Sequence, residues 1–391
     1  MIEIDDARAA TLFLCGDVMT GRGIDQILRH PSRPRLFESH VKDAGEYVAL
    51  AEAANGPVPR PVRDAYIWGD ALAELAHVQP RIRIANLETS VTLSEDHWPG
   101  KGIHYRMNPA NLGCLSAARL DVCTLANNHV LDFGFAGLRE TLEALARAGI
   151  RTAGAGVDLA AAEQPAIVPL LPGSRLLVFA FGTPSSGIFQ EWAAQRDRAG
   201  VHLVTDLSET TAAAIGHRVA RAKHRGDVVV ASIHWGDNWG YDVPAAHQRF
   251  AHALIDRGVD VIHGHSSHHP RPIELYRDRL ILYGCGDFIN DYEGISGYEP
   301  YRDDLALMYF ATISADSGEL AALRLVPMQI RAMRLANASP DDARWMRDAL
   351  ARASAPFATA IHLDNTGALT VGPARGGAAA RLASSPIEGA P

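Results

Sequence analysis

The chain has 391 residues, 47% of them hydrophobic, enough to bury a large core in one big domain or two. Its formal net charge of −8 leaves no basic field to hold a phosphate backbone, which argues against nucleic-acid binding. No apolar run approaches the roughly 20 residues of a membrane-spanning helix, and the opening Met1-Ile2-Glu3-Ile4-Asp5-Asp6 is acidic where a secretory leader is basic and then apolar, so a cytoplasmic protein with no membrane anchor is expected.

Five short apolar runs read as strands: Thr11 to Cys15, Ile82 to Ala85, Val122 to Leu125, Val228 to Ile233 and Val259 to Ile262. Such runs suit strands covered on both faces. Helical spacing appears between them, at Phe135 to Ala148 through Leu138, Leu142 and Leu145, and at Pro244 to Arg257 through Phe250, Leu254 and Ile255. The alternation predicts a layered α/β fold with each site residue in the loop after its strand. No Gly/Ser-rich linker divides residues 1–335, which carry every motif. Residues 336–364 predict a helical extension of the same domain, opened by Ser339-Pro340-Asp341-Asp342 as N-cap, N1 proline and acidic first turn. Residues 365–391 are rich in Gly, Ala, Ser and Pro and predict a disordered tail. Two inserts, 29–66 and 183–200 with Trp192, have the look of lids over a site, as plain surface loops also do.

Each strand leads into a polar island. Gly16-Asp17 is a common turn sequence, but with Arg22 nearby it also offers a carboxylate and a guanidinium for a metal or an anionic group. In Asn86-Leu87-Glu88 the two polar residues share one orientation if the strand continues. Asn127-Asn128-His129, ahead of Asp132-Phe133-Gly134, is costly to desolvate unless it coordinates or hydrogen-bonds something, a helix-capping network from Asn128 and Asp132 being the structural alternative. His234 ends a strand, with Trp235 or Trp239 available to wall a pocket. His263, His265, His268 and His269 place four imidazoles in seven residues, and neutral imidazole is the commonest transition-metal ligand. Arg271, between Pro270 and Pro272, could grip a substrate carboxylate or form a surface ion pair. The four cysteines form no CxxC pair and read as buried hydrophobes. Cys285, in Gly284-Cys285-Gly286-Asp287, is the one position where a nucleophilic thiol is conceivable, given a base beside it.

Taken in order, Gly-Asp, Asn-Leu-Glu, Asn-Asn-His-x-x-Asp-x-Gly, His-Trp-Gly and Gly-His-x-x-His, with Ile281 to Phe288 beyond, the motifs resemble the CapA proteins of poly-gamma-glutamate capsule synthesis, themselves similar to calcineurin-like metallophosphatases. The resemblance spans roughly residues 11 to 330. It implies a metallophosphatase-like four-layer α/β/β/α sandwich with mixed sheets, and one or two divalent ions (Mn, Zn or Fe), or none, held by Asp17, Glu88, Asn128, His234, His265 and His268. His129 takes the place of the histidine that protonates a leaving group. The chain departs from the pattern at Met19, where metallophosphatases have an imidazole, and at Ser266-Ser267, where CapA proteins read His-Pro between two histidines.

Three functional readings follow. The first is metal-assisted hydrolysis of an amide or phosphoester in a peptide-like or polyglutamate-like substrate, with Asp17, His129, His234 and His265 catalytic and Arg22, Trp235 and Arg271 binding. The second is metal-independent epimerisation of a peptide, as in the soluble relatives that act on lasso-peptide precursors in natural-product pathways, with Asp17 and a histidine exchanging protons at Cα. The third is a non-catalytic assembly protein for a polyglutamate capsule.

Overall fold

Side chains along a strand point alternately to its two faces, and this decides how the layers stack. In the computed structural model, which describes residues 8–373, the strand Ala9–Val18 sends Leu12 and Leu14 to one side and Phe13 and Cys15 to the other. It lies inside a ten-stranded mixed sheet. On one flank it pairs in parallel with Ile82–Leu87, which continues to Val122–Thr124 and Arg151–Ala153. On the other it pairs antiparallel with Leu305–Ser314, followed by Leu320–Ile330, Leu369–Pro373 and Thr359–Leu363.

A second sheet of six strands has parallel pairs among Ser174–Gly182, Val228–His234, Val261–His265 and Arg279–Leu282, with antiparallel hairpins at both edges. Leu12, Leu14 and Ile84 of the first sheet meet Val178, Val230 and Val261 of the second in one fully buried layer. Truncating one such leucine to alanine costs about 2–5 kcal/mol. Outside it, Phe13, Cys15 and Ala85 pack against helical residues such as Val48, Leu75 and Leu138. On the far side Leu177, Val229 and Ile262 pack against Ile215, Phe250 and Leu254. The architecture is therefore the expected α/β/β/α sandwich with mixed sheets.

The anticipated helices form at Gly134–Arg147, Ala245–Ile255 and Pro340–Ser354, the last opened by a capping box between Ser339 and Asp342. Other expectations need correction. The stretch after residue 364 is not tail throughout, because Leu369 reaches the inter-sheet layer and Leu369–Pro373 pairs as a strand. Residues 374–391 lie outside the described residues. The segment 336–364 is likewise helix followed by a strand. Residues 183–200 do not line the cavity that Asn128, His129 and Ser266 border. Trp192 is fully buried there and meets Trp98 edge-on at 5.5 Å, filling core space. Among the described residues no helix is long and apolar enough to cross a membrane.

Candidate active site

The strands run on through the site, so several of its residues occupy last strand positions and not the loops expected. Asp17 owes its placement to Gly16. The pairing with Ile82–Leu87 goes Leu14 to Ile84, Cys15 to Ala85, then Asp17 to Asn86, leaving Gly16 as an unpaired bulge residue. In a regular strand without the bulge, position 17 would share the helix-facing side of Phe13 and Cys15. With it, Asp17 takes the side of Asn86 and looks into the space between the sheets. In the second sheet no bulge is needed. Ser232 pairs with His263 and His234 with His265, two residues along, so all four look toward the first sheet.

One oxygen of Asp17 and one ring nitrogen from each of His234 and His265 therefore gather within 4.8 Å of one another. All three residues are buried. The Nδ1 atoms of His234 and His265 are 2.8 Å apart, and His265 Nδ1 lies 3.9 Å from Asp17 Oδ1. Ser232 Oγ, 2.8 Å from His265 Nε2, fixes that ring so its other nitrogen faces the cluster. Asn128 Oδ1 is 3.0 Å from His234 Nε2. Asn86 Nδ2 donates to Asp17 Oδ1 (2.7 Å) and Glu88 Oε2 (3.2 Å), and the Ser266 N–H donates to Asp17 Oδ2 (3.2 Å). Ser266 does so at φ 100°, a backbone angle strained for any residue but glycine.

Burial raises the Asp17 carboxyl to about 7, with repulsion from Asp287 adding to it. Burial and the Asp17 charge likewise raise Glu88. Burial drives His234 and His265 well below the usual histidine range, leaving neutral rings that each keep one lone pair. An oxygen and two neutral imidazoles around dehydrated carboxyls is a donor set suited to a divalent transition ion, whose charge would compensate the acids. The second position of a two-metal centre is weaker. Met19 Sδ is contacted by the Tyr292 hydroxyl (3.6 Å). His268 is bound through Nδ1 to Asp287 (2.9 Å), whose carboxylate outweighs burial and raises it.

His129 stands beside this cluster. Its Nδ1 lies 2.7 Å from Asp132 Oδ2, and its Nε2 is 3.7 Å from Glu88 Oε1. Asp132 does not cap the following helix, which starts at Gly134 with no side-chain cap. Instead it accepts from the Tyr105 N–H (2.6 Å) and pairs with Lys101 (2.7 Å), and Lys101 Nζ also sits 2.9 Å from His129 Nδ1. Lys101 lies in Pro99-Gly100-Lys101-Gly102, which reads as an ordinary exposed turn; nothing in its spacing marked it.

A cavity of about 400 Å³ opens over these groups, lined by Glu88, Lys101, Asn128, His129, Ser266 and His268 among others. Three predicted binding residues behave differently. Trp235 is buried, stacked on His247 at 4.5 Å with Nε1 donating to the Tyr283 carbonyl, because strand alternation turns it into the outer core; Trp239 walls the cavity instead. Arg271 is buried, donates Nε to the Gly240 carbonyl and does not line the cavity. Arg22 does line it, but is neutralised by Glu38 and Asp291 beneath the Tyr47 ring. Cys285 is buried, and burial raises its thiol well above the ordinary range, so it is no nucleophile.

The family described as bacterial capsule synthesis protein PGA_cap matches residues 11–292. The chain is 47% identical over 348 residues to a probable polyglutamine synthesis accessory protein of Mycobacterium tuberculosis, covering 89% of this chain and 92% of that one. It is 29% identical over 308 residues to the PGA biosynthesis protein CapA of Bacillus subtilis, covering 78% and 68%. Among solved structures, a 5'-nucleotidase precursor from Thermus thermophilus aligns with a TM-score of 0.46 at 15% identity, over 89% of this chain and 59% of that protein.

Proposed function

The chain belongs to the bacterial capsule synthesis protein PGA_cap family, and on that premise we propose that it is a single-metal hydrolase of an amide bond in a peptide-like substrate. The observation that carries this is the convergence of Asp17, His234 and His265 within 4.8 Å, next to the His129–Asp132 pair. Asp17, His234 and His265 would hold the ion, with Asn128 steadying His234 through its far nitrogen, and Mn, Zn or Fe suit such a set. A cation there supplies Lewis acidity at the scissile carbonyl. His129, oriented through Nδ1 by Asp132 and kept neutral by burial and the Lys101 charge, takes a proton from the attacking water at Nε2 and passes it to the departing amine. An amide suits the cavity better than a phosphoester, since Arg22 and Lys101 in its lining already sit on carboxylates and leave no free guanidinium or ammonium among the described residues there for a dianion.

Epimerisation draws less support, because Asp17 is fully buried and already accepts from Asn86 Nδ2 and the Ser266 N–H, a setting that suits a ligand of an ion beneath the cavity better than a base meeting a substrate Cα directly. The names of the relatives favour an accessory role in polymer synthesis, and hydrolytic trimming of a peptide-like chain is compatible with one. Elemental analysis together with amine release from acetylated peptide amides tests the proposal. The expected result is about one ion per chain, activity lost to a chelator and restored by metal, and kcat lowered about a hundredfold or more in Asp17→Asn and His265→Ala. Undiminished cleavage by metal-free protein would overturn it, and deuterium uptake at Cα without cleavage would assign epimerisation.

A further inference from the structure

Six large hydrophobic side chains stand exposed among the described residues, and three of them, Ile103, Ile295 and Tyr298, border the cavity above the site. Isolated exposed apolar residues need no explanation; a cluster around an opening does. Trp239 backs this rim, stacked on Tyr298 with ring centres 4.0 Å apart and planes 6° from parallel, so the two rings form a flat, stiff shelf. Deeper in, the lining turns polar, at Asn128, His129 and Ser266.

The charges around the cavity are balanced. Lys101 sits on Asp132, Arg22 on Asp291 and Glu38, and His268 on Asp287, while Glu88 and Asp303 also line the wall. Among the described residues no free guanidinium or ammonium remains there to hold an acidic side chain, and a carboxylate entering past Asp303 would meet repulsion. We propose that the rim of Ile103, Ile295, Tyr298 and Trp239 is a subsite for an uncharged apolar side chain, best a planar one, adjacent to the bond cleaved. It rests on the peptide-hydrolase reading only in taking the occupant to be part of a peptide. The substrate therefore carries an apolar residue beside its reacting amide, and a uniformly acidic polymer is a poor occupant. The volume of about 400 Å³ lies within the range of small-ligand pockets.

The test is the affinity of the full chain, by calorimetry, for acetyl-Gly-Phe-amide, acetyl-Gly-Gly-amide and acetyl-Gly-Glu-amide, with and without chelator. The Phe peptide is expected to bind about tenfold tighter than either of the others, a difference of about 1.4 kcal/mol. In an Ile295→Ser/Tyr298→Ser double variant the Phe-to-Gly ratio falls to about one. Both side chains are partly exposed, at 36% and 39%, and a thermal unfolding midpoint equal to that of wild type checks that the double variant keeps its fold. Glu binding as tightly as Phe, a Phe advantage that survives in the double variant, or no peptide binding at millimolar concentration would each overturn the subsite. Affinity is read without turnover, so a protein that prefers Phe but cleaves nothing refutes the hydrolase reading and leaves the subsite standing.

Discussion

A methyl group at Gly16 would sit 1.7 Å from the carbonyl oxygen of Gly286, a backbone atom with nowhere to go. Gly16→Ala is therefore expected to cost about 3 kcal/mol or more in urea unfolding, and to lower metal affinity as Asp17 loses its direction. A result within about 0.5 kcal/mol of wild type would show that the bulge is not needed. Gly16-Asp17 was legible as a site element, but the bulge was not, since a Gly-Asp pair is equally an ordinary turn. Asp17, Asn128, His129, His234 and His265 could be singled out as candidates because apolar strands rarely lead into such groups, and the structure brings them near one another. Trp235 and Arg271 misled, because one residue of register separates a pocket wall from the core, and an arginine in a polar loop can end on a backbone carbonyl as readily as on a ligand.

At the scale of elements, amphipathic helices declared themselves through spacing and caps. Ser339→Ala removes a side chain that accepts from the Asp342 N–H, and it should lower stability by about 1 kcal/mol in thermal or denaturant unfolding without altering the site. Short strands flanked by helices were equally readable. The long pair Leu305–Ser314 and Leu320–Ile330 was not, for the run Leu305-Ala306-Leu307-Met308-Tyr309-Phe310 is apolar without alternation and reads as buried helix or buried strand alike. Only tertiary pairing decides it, here with Ala9–Val18.

Across the whole molecule, stability depends on several histidines folded away uncharged. Burial lowers His202 and His247 to about 4, against 6.5 for the unfolded chain. A depressed folded pKa means the contribution is complete above pH 6.5 and drains away as pH falls toward 4, where the unfolded chain binds the extra proton. Raised acids pull the other way. Asp17 at about 7 and Asp132 at about 6 contribute most at low pH and lose it as pH rises through those values. The separable prediction is therefore a difference. His247→Phe, which keeps a ring against Trp235, should gain on wild type by up to about 1.4 kcal/mol per pH unit between pH 6.5 and 4, read from denaturation midpoints. A difference that stays constant across that range would contradict a buried neutral His247.

The strand that presents Asp17 has Leu305–Ser314 as its antiparallel neighbour, with Ala9 opposite Ser314. About three hundred residues separate these partners along the chain. During synthesis, which proceeds from the amino end, the first strand must wait on the ribosome for its neighbour to emerge. The first of the site's carboxylates to be made thus reaches its working position late, and a truncated nascent product carries the acid with no pocket to hold it.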